Sequence, residues 1–574
     1  MKGGFDRTTW QRLWHLARPF FVSEIRWRAR GLLLLLVSFS LAITGINYLI
    51  SVAMGGFMNA FWLRQKAEFF KQLYYCLLVF GIATPLVVFY RYTEERLGLA
   101  WRRWLSHRIL HQYFQHRSYF KLSYFEGIDN PDQRIAEDVR SFCATSLSIL
   151  LIMTNSVVAL FVFTGVLWNI SVLLVFAVLL YATIGSLITY FVGKPLIDLT
   201  FNQLKKEADF RFKLVDIREN VESIAFYQDE SIEEAGVRQR LKDALDNLLR
   251  IINWNRNLGC FTTGYNYLIG ILSTILMAPL FLDGKITIAQ VVQGGIAFGQ
   301  VLGALNIIVT NFGVLFSYGA VIRRLGAFLE AIEAGQASEV IFPGATIQRQ
   351  ESADGITFEN VTIFTPHRDQ TLIKNLSFFL ADGQSLFITG ASGTGKSALF
   401  RVIARLWGAG EGRIVSPDVT RLMFLPQRPY LVLGSFRNQL LYGVGIKDLS
   451  EQILQKVLRK VQLEQLLDRM GGFEAVRDWP NVLSLGEQQR LAFARLLLTK
   501  RKYGFMDEAT TALDATSERL LYNYLQEQGT NFISIGSQAS LEALHTFKLE
   551  LRNGGQWGFS QITEGSGRNL PIGQ

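Results

Sequence analysis

The chain has 574 residues and a net charge of +10; 49% of its residues are hydrophobic, only 18% are charged, and its mean hydropathy is +0.21. A soluble protein of this length would carry about a quarter charged residues, so these figures exclude an ordinary soluble enzyme and point to membrane segments with more than one domain. The Lys and Arg residues cluster beside apolar runs, as on the cytoplasmic side of a membrane protein, and no nucleic-acid partner is expected.

Residues 1–30 hold seven Lys and Arg together with Trp10, Trp14, Phe20, Phe21 and Trp27. This pattern predicts an amphipathic helix lying on the inner face of a lipid bilayer. It lacks the short apolar core and small-residue cleavage site of a signal peptide, so the N-terminus is expected to stay in the cytoplasm. Six apolar stretches follow, at 31–54, 73–90, 146–167, 172–192, 261–282 and 288–318, each near the ~20 residues that cross a bilayer. The loop after the second is long and rich in arginine (Arg91, Arg96, Arg102, Arg103), and the one after the fourth is also long and charged. The fifth and sixth are joined by a short Asp283-Gly284-Lys285 turn. Both termini are therefore predicted inside, with a membrane domain over 31–325. Polar residues within the spans (Asn47, Ser51, Asn155, Thr164, Thr263, Asn306, Thr310 and Asn311) either line a path or hold helices together. The last span, with Gln290, Gln293 and Gln300, makes the best case for lining a cavity. His107 and His111 share a helical face, but no third ligand accompanies them, and they read as part of a membrane-proximal helix. Cys76, Cys143 and Cys260 have no metal or disulfide spacing and read as small buried hydrophobes.

Composition shifts near Gly326. A linker is expected over 326–355, an α/β domain over 356–563 and a flexible tail over 564–574. The α/β domain carries Gly390-Ala391-Ser392-Gly393-Thr394-Gly395-Lys396-Ser397-Ala398 between a strand-like and a helical stretch. This is a phosphate loop in its proper context: glycines let backbone N–H groups curl around phosphates, and the helix N-terminus adds positive potential. Lys396 is expected on the β- and γ-phosphates of ATP and Ser397 on Mg²⁺. The apolar run from Tyr503 to Met506 ends in Asp507, expected to hold Mg²⁺, and Glu508, expected to act as general base on the attacking water.

Leu483-Ser484-Leu485-Gly486-Glu487-Gln488-Gln489-Arg490 resembles the signature motif of ATP-binding-cassette proteins. Gln427, within Leu425-Pro426-Gln427, and Ala512-Leu513-Asp514 match that family's other motifs in the expected order. The resemblance implies that Gln427 joins Mg²⁺ and water to the membrane domain. It also implies that Ser484 and Gly486 reach the γ-phosphate bound by a second subunit, with the adjoining Glu487 in the same nucleotide site, and that Asp514 lies at the dimer seam. Asn130-Pro131-Asp132-Gln133-Arg134-Ile135-Ala136-Glu137-Asp138 and the segment from Glu219 to Tyr227 are similar to stretches of subfamily D. That group includes peroxisomal fatty-acyl half-transporters, and with it stand bacterial permease–ATPases linked to uptake of vitamin B12 and antimicrobial peptides. Pro131 after Asn130 suits the start of a short coupling helix.

The fold so implied is an exporter-type α-helical membrane domain of six transmembrane helices joined to an α/β P-loop ATP-binding cassette. The implied function is ATP-driven transport by a homodimer with two composite ATP sites and alternating access. The cargo would be cobalamin, a peptide or another hydrophilic solute if bacterial, and acyl-CoA if peroxisomal. The ending Pro571-Ile572-Gly573-Gln574 carries no peroxisomal signal, and a bacterial inner membrane with a cytoplasmic cassette is expected. The alternative is an ATP-binding membrane regulator or gated channel with little turnover. Three departures from the family pattern bear on this. Leu485 stands where a glycine is usual, and its bulk is expected to perturb the loop. Ser537 replaces a histidine at the γ-phosphate sensor and cannot copy imidazole's reach or charge. Phe364 is the candidate to stack on adenine, with a plain core phenylalanine as the other reading.

Overall fold

The computed structural model describes residues 7–122, 130–307, 312–337, 346–352, 355–365, 368–446, 448–499 and 501–562. Asn311, Thr310 and the expected tail lie outside them. The chain divides into two compact units, Met1–Ala337 and Ser338–Gln574.

Among its described residues the first unit is built of helices. An amphipathic α1 (Arg7–Val22) is broken at 23–25 from α2 (Arg26–Trp62), so the last basic residues of the predicted surface helix open the first span instead. Then come α3 (Lys66–Phe114), α4 (Val139–Ile170), α5 (Val172–Glu219), α6 (Glu230–Leu282), α7 (Ile288–Leu305) and α8 (Phe312–Ala337). Among the described residues, six helices are long and apolar enough to cross a membrane. Several are far longer than their apolar stretches: at ~1.5 Å per residue the 53-residue α6 spans roughly 80 Å, against a hydrocarbon core of about 30 Å. The charged loops predicted after spans two and four are largely continuations of α3 and α5. Lys, Arg, Glu and Gln are good helix formers, and the first local breaks come at His116 after α3 and at Asn220 after α5. The sixth predicted span is shorter than expected, since α7 ends at Leu305. Residues 326–337, read as linker, are the end of α8, and Gln348–Glu351 is already a strand.

Two apolar cores hold this unit. One gathers Leu16 and Phe20 of α1, Leu36, Trp101, Phe142 and the buried face of α8. The other joins α4, α5, α6 and α7 around Phe163, Val178, Met277 and Phe298. Tyr181 and Tyr265 stack 4.3 Å apart, and each hydroxyl donates to the other's carbonyl, at 2.6 and 3.1 Å. Gly185 makes room for this lock, since a Cβ there would come within 2.3 Å of the Tyr265 ring.

Asn130 takes a left-handed φ of 43°, Pro131 opens one helical turn, and Arg134–Asp138 forms a π-helical turn that runs into α4. Arg134 and Asp138 are buried, not solvated. Arg324 of α8 donates to both Asp138 carboxylate oxygens at 2.9 and 2.6 Å, and Arg134 donates back to the Arg324 carbonyl at 2.9 Å. The segment therefore clasps α8 within the membrane unit. On the other side of α8, Arg12 of α1 makes a bidentate pair with Glu330.

The second unit has a four-stranded sheet in the order β1–β5–β2–β3 and a six-stranded sheet in the order β10–β9–β4–β8–β7–β6. In the larger sheet β4 (Leu386–Gly390), β6 (Leu422–Leu425), β7 (Tyr503–Asp507), β8 (Asn531–Ile535) and β9 (Phe547–Leu551) pair in parallel. β10 (Trp557–Gln561) closes the edge antiparallel to β9. The smaller sheet contains β1 (Gln348–Glu351), β2 (Gly355–Phe364), β3 (Thr371–Ala381) and β5 (Gly410–Ser416). Central strands such as Asn531–Ile535 are buried at every residue, as expected for parallel strands covered on both faces.

Candidate functional site

Ligands of an open parallel sheet bind beyond the carboxyl ends of its strands, and the expected site residues sit there. Gly390 ends β4, Gln427 lies two residues past β6, Asp507 ends β7 with Glu508 next, and Ser537 lies two residues past β8. The order β4–β8–β7–β6 makes neighbours of residues up to about 150 positions apart in the chain.

The phosphate loop demands glycine at two points. Gly390 has φ +148°, and a Cβ there would meet the Leu551 carbonyl at 2.2 Å; Gly395 has φ +97° and abuts Leu372. Ala391, Ser392, Gly393 and Thr394 complete the turn, with the Thr394 hydroxyl donating to the Ala391 carbonyl. Lys396 opens α9 (Lys396–Ile403) and folds its ammonium onto the Gly390 and Ala391 carbonyls, both at 2.8 Å. That is an ammonium held at the mouth of an anion cradle, where a phosphate can replace the carbonyls.

Burial raises the Asp507 carboxyl above its ordinary pKa; a hydrogen bond with Ser397 and the charges of Arg401 and Lys396 pull the other way. A hydroxyl and a carboxylate in contact form a hard oxygen donor pair that fits Mg²⁺. Glu508 has φ +50°, a left-handed conformation costing a non-glycine residue about 1–2 kcal/mol. Its N–H donates to the Ile535 carbonyl at 3.1 Å, and its carboxylate accepts from the Gln427 amide at 3.0 Å. Gln427 and Glu508 are thus brought together directly.

A second group forms at the start of α10 (Leu485–Leu498). The Ser484 hydroxyl caps the helix by accepting from the Glu487 N–H, and Glu487 accepts from the Ser484 N–H at 2.9 Å. Burial would raise the Glu487 carboxyl, but the Ser484 N–H and Arg469 outweigh it and hold the pKa below the usual range. Leu485 does not disturb the loop as expected. It occupies the first helical position without a positive φ, so no glycine-only conformation is required there. Gly486 lies against the Ala512 carbonyl, which puts Asp514 beside this group. Asp514 caps α11 (Ala515–Glu527), and hydrogen bonds from Ser517 hold its carboxyl below the usual range.

Phe364 ends β2 and pairs with Thr371, next to the Leu372 that touches Gly395. Its ring is half-buried, with the Arg368 guanidinium 5.3 Å from its centroid. Ser537 is exposed. Ala398 is buried in α9.

Known proteins resemble this chain in sequence and fold. Residues 16–282 match the family ABC transporter transmembrane region 2, and residues 373–511 match the family ABC transporter. An uncharacterized ABC transporter ATP-binding protein of Synechocystis sp. is 38% identical over 94% of this chain and 82% of its own length. The chain belongs to the ABC transporter family. Within it this transporter groups with subfamily D half-transporters. The chloroplastic ABC transporter D family member 2 of Arabidopsis thaliana is 36% identical, covering 95% of this chain and 86% of its own. The human lysosomal cobalamin transporter ABCD4 is 31% identical, covering 87% and 88%. A bacterial Atm1-family ABC exporter with ATP bound shares the fold at a TM-score of 0.73 and 20% identity, over 92% of this chain and 95% of its own.

Two features of this ABC transporter's cassette escaped the sequence reading. Buried Gln489 of α10 donates to the Gln427 carbonyl and the Thr511 hydroxyl, both at 3.2 Å, and accepts from the Ala512 N–H at 3.0 Å. It ties the loop bearing Gln427 to the segment before Asp514. The second Gln after the signature glycine was its one signal. The other is His545, which is buried in the core. It bonds the Ser534 hydroxyl at 2.9 Å, and Ser534 bonds Tyr522 at 2.8 Å.

Burial pushes His545 down to about 4. An unfolded histidine titrates near 6.5, so between those values the unfolded chain binds the extra proton. Cassette stability is therefore expected to fall by about 3 kcal/mol as pH drops from ~6.5 to ~4, and to recover as pH rises. Thermal unfolding of the full chain across that window, compared with His545→Leu, checks this. An unchanged slope in the variant would assign the acid lability elsewhere.

Proposed function

We propose that this ABC transporter works as a homodimer in a bacterial inner membrane, hydrolysing ATP at two composite sites to move a hydrophilic solute by alternating access. The observation that carries the reading is the meeting of Lys396, Ser397, Asp507, Glu508 and Gln427 beyond the carboxyl ends of β4, β7 and β6. Lys396 and the loop N–H groups hold the phosphates, and Ser397 and Asp507 hold Mg²⁺, which neutralises charge developing on the transferred phosphoryl group. Glu508, oriented by Gln427, takes the proton of the attacking water. The helix N-terminus with the Ser484 hydroxyl and the Gly486 N–H suits an anion presented by a second subunit, since a helix N-terminus and a hydroxyl together favour negative charge. The exposed helix Val221–Tyr227, with Phe226 78% and Tyr227 84% accessible, is the element proposed to carry motion to the cassette.

The rival reading of a gate with little turnover is favoured by exposed Ser537, which has no titrating group to sense phosphate. Sealed vesicles containing the purified chain, offered cobalamin, oligopeptides and acyl-CoA, test the proposal. ATP-dependent accumulation of one solute is the expected result. Equal accumulation with ATP and with a non-hydrolysable analogue would overturn it.

A further inference from the structure

Glu487 sets a negative charge beside the group proposed to meet a second subunit's ATP. Its Oε2 accepts from the Ser484 N–H at 2.9 Å and from the Ser484 hydroxyl at 3.1 Å. A serine hydroxyl has one proton to donate. A γ-phosphate arriving at Ser484 must therefore take that proton from Glu487, and at hydrogen-bond length it would stand ~3 Å from the same Oγ. Two anions competing for one hydroxyl repel each other. Protonation does not relieve the conflict at neutral pH: burial favours the neutral carboxyl, but the Ser484 N–H and Arg469 outweigh it and keep Glu487 ionised.

A counter-charge is in place. Arg469 donates from Nη2 to Glu487 Oε1 at 2.6 Å, the oxygen that Ser484 does not use. Among the described residues it is the one cation paired with Glu487. It lies outside every motif read in the sequence, on the short helix Glu464–Met470. That helix is anchored, because Leu466 and Met470 are buried in the same core as Leu483 and Leu491 around the signature run. The pair is asymmetric: the Glu487 side chain is 15% exposed and the Arg469 side chain 54%. Water and salt screen a part-buried charge poorly, so the guanidinium is what offsets this carboxylate. A half-exposed ion pair contributes little to folding, so its effect is expected at the anion site instead.

We propose that Arg469 is a positioning residue for ATP hydrolysis: by drawing the Glu487 charge away from Ser484, it frees the Ser484 hydroxyl and the Gly486 N–H to engage the γ-phosphate of ATP bound by the second subunit. This rests on the two-subunit site proposed above.

ATP hydrolysis by the full chain in lipid nanodiscs, measured against ATP concentration, tests it. Arg469→Ala is expected to raise KM for ATP about tenfold, the effect of one uncompensated charge beside a part-buried anion site. The contact with phosphate is made before chemistry and kept through it, so kcat is expected to change by less than about threefold. Arg469→Lys keeps the charge and is expected to hold KM within about threefold of the parent's. The deciding variant combines Arg469→Ala with Glu487→Gln. With no carboxylate left to neutralise, its KM is expected to return to within about threefold of the parent's. A KM for Arg469→Ala within about twofold of the parent's would overturn the proposal. So would a double variant no better than Arg469→Ala, because Arg469 would then act through packing. The same series in a Glu508→Gln background, read as the ATP concentration that half-saturates retained nucleotide, separates this proposal from the hydrolysis reading. A parent chain without turnover, whose nucleotide retention still follows the Arg469 charge, would sink the hydrolysis reading and leave this one standing; Glu508-dependent turnover indifferent to Arg469 would do the reverse.

Discussion

Glu508→Gln is expected to lower ATP turnover by about 10²–10⁴-fold while ATP remains bound, the range associated with loss of a general base. The amide keeps the shape of the side chain and its contact with Gln427, now 3.0 Å from the carboxylate, but cannot accept the water's proton. Lys396 and the loop N–H groups are untouched, so nucleotide affinity is expected to hold and the two-cassette state to persist. Phosphate release and retained nucleotide, measured on the same reconstituted protein, are the readouts. Hydrolysis equal to the parent's would remove Glu508 from the role of base and favour the gating alternative. The left-handed backbone at Glu508 adds a reason for its placement: strain at a non-glycine residue persists only where surrounding contacts impose it, and here the Ile535 carbonyl takes its N–H.

Arg324→Ala is expected to cost the membrane unit about 3 kcal/mol, a drop of roughly 5–10 °C in its unfolding midpoint. The reason is asymmetry. Asp138 is only 2% exposed while Arg324 is half exposed. Removing the guanidinium leaves a buried carboxylate without its bidentate partner, whereas removing both charges is far milder. The double variant Asp138→Asn with Arg324→Ala is therefore expected to recover most of the loss. Thermal unfolding of the full chain in detergent, followed for all three variants, decides this. If the double variant is no better than Arg324→Ala, the loss comes from packing around α8 and not from the clasp.

The chemistry of the cassette was legible because it is local. A phosphate loop, an acidic strand end and a signature run each confine their donors to under ten consecutive residues, and glycine is read directly wherever a left-handed φ or a close carbonyl leaves no room for Cβ. The six membrane helices were legible for a similar reason: lipid demands ~20 apolar residues in a row, and composition alone records it. Their full lengths were not, because a charged helix former reads equally as loop or as helix until packing selects one.

What the tertiary structure decided lies in pairs distant in sequence. Arg324 meets Asp138 across 186 positions, and Gln489 reaches back 62 to the Gln427 carbonyl. His545 carried no signal in the sequence, and it is a core residue because the fold places Ser534 and Tyr522 around it. The Asn130–Asp138 motif was recognisable by likeness, yet the burial of its two charged residues depends on α8, almost 200 residues later. Hydrophobic pattern and local backbone chemistry determine what each segment becomes; which polar groups are buried together depends on topology.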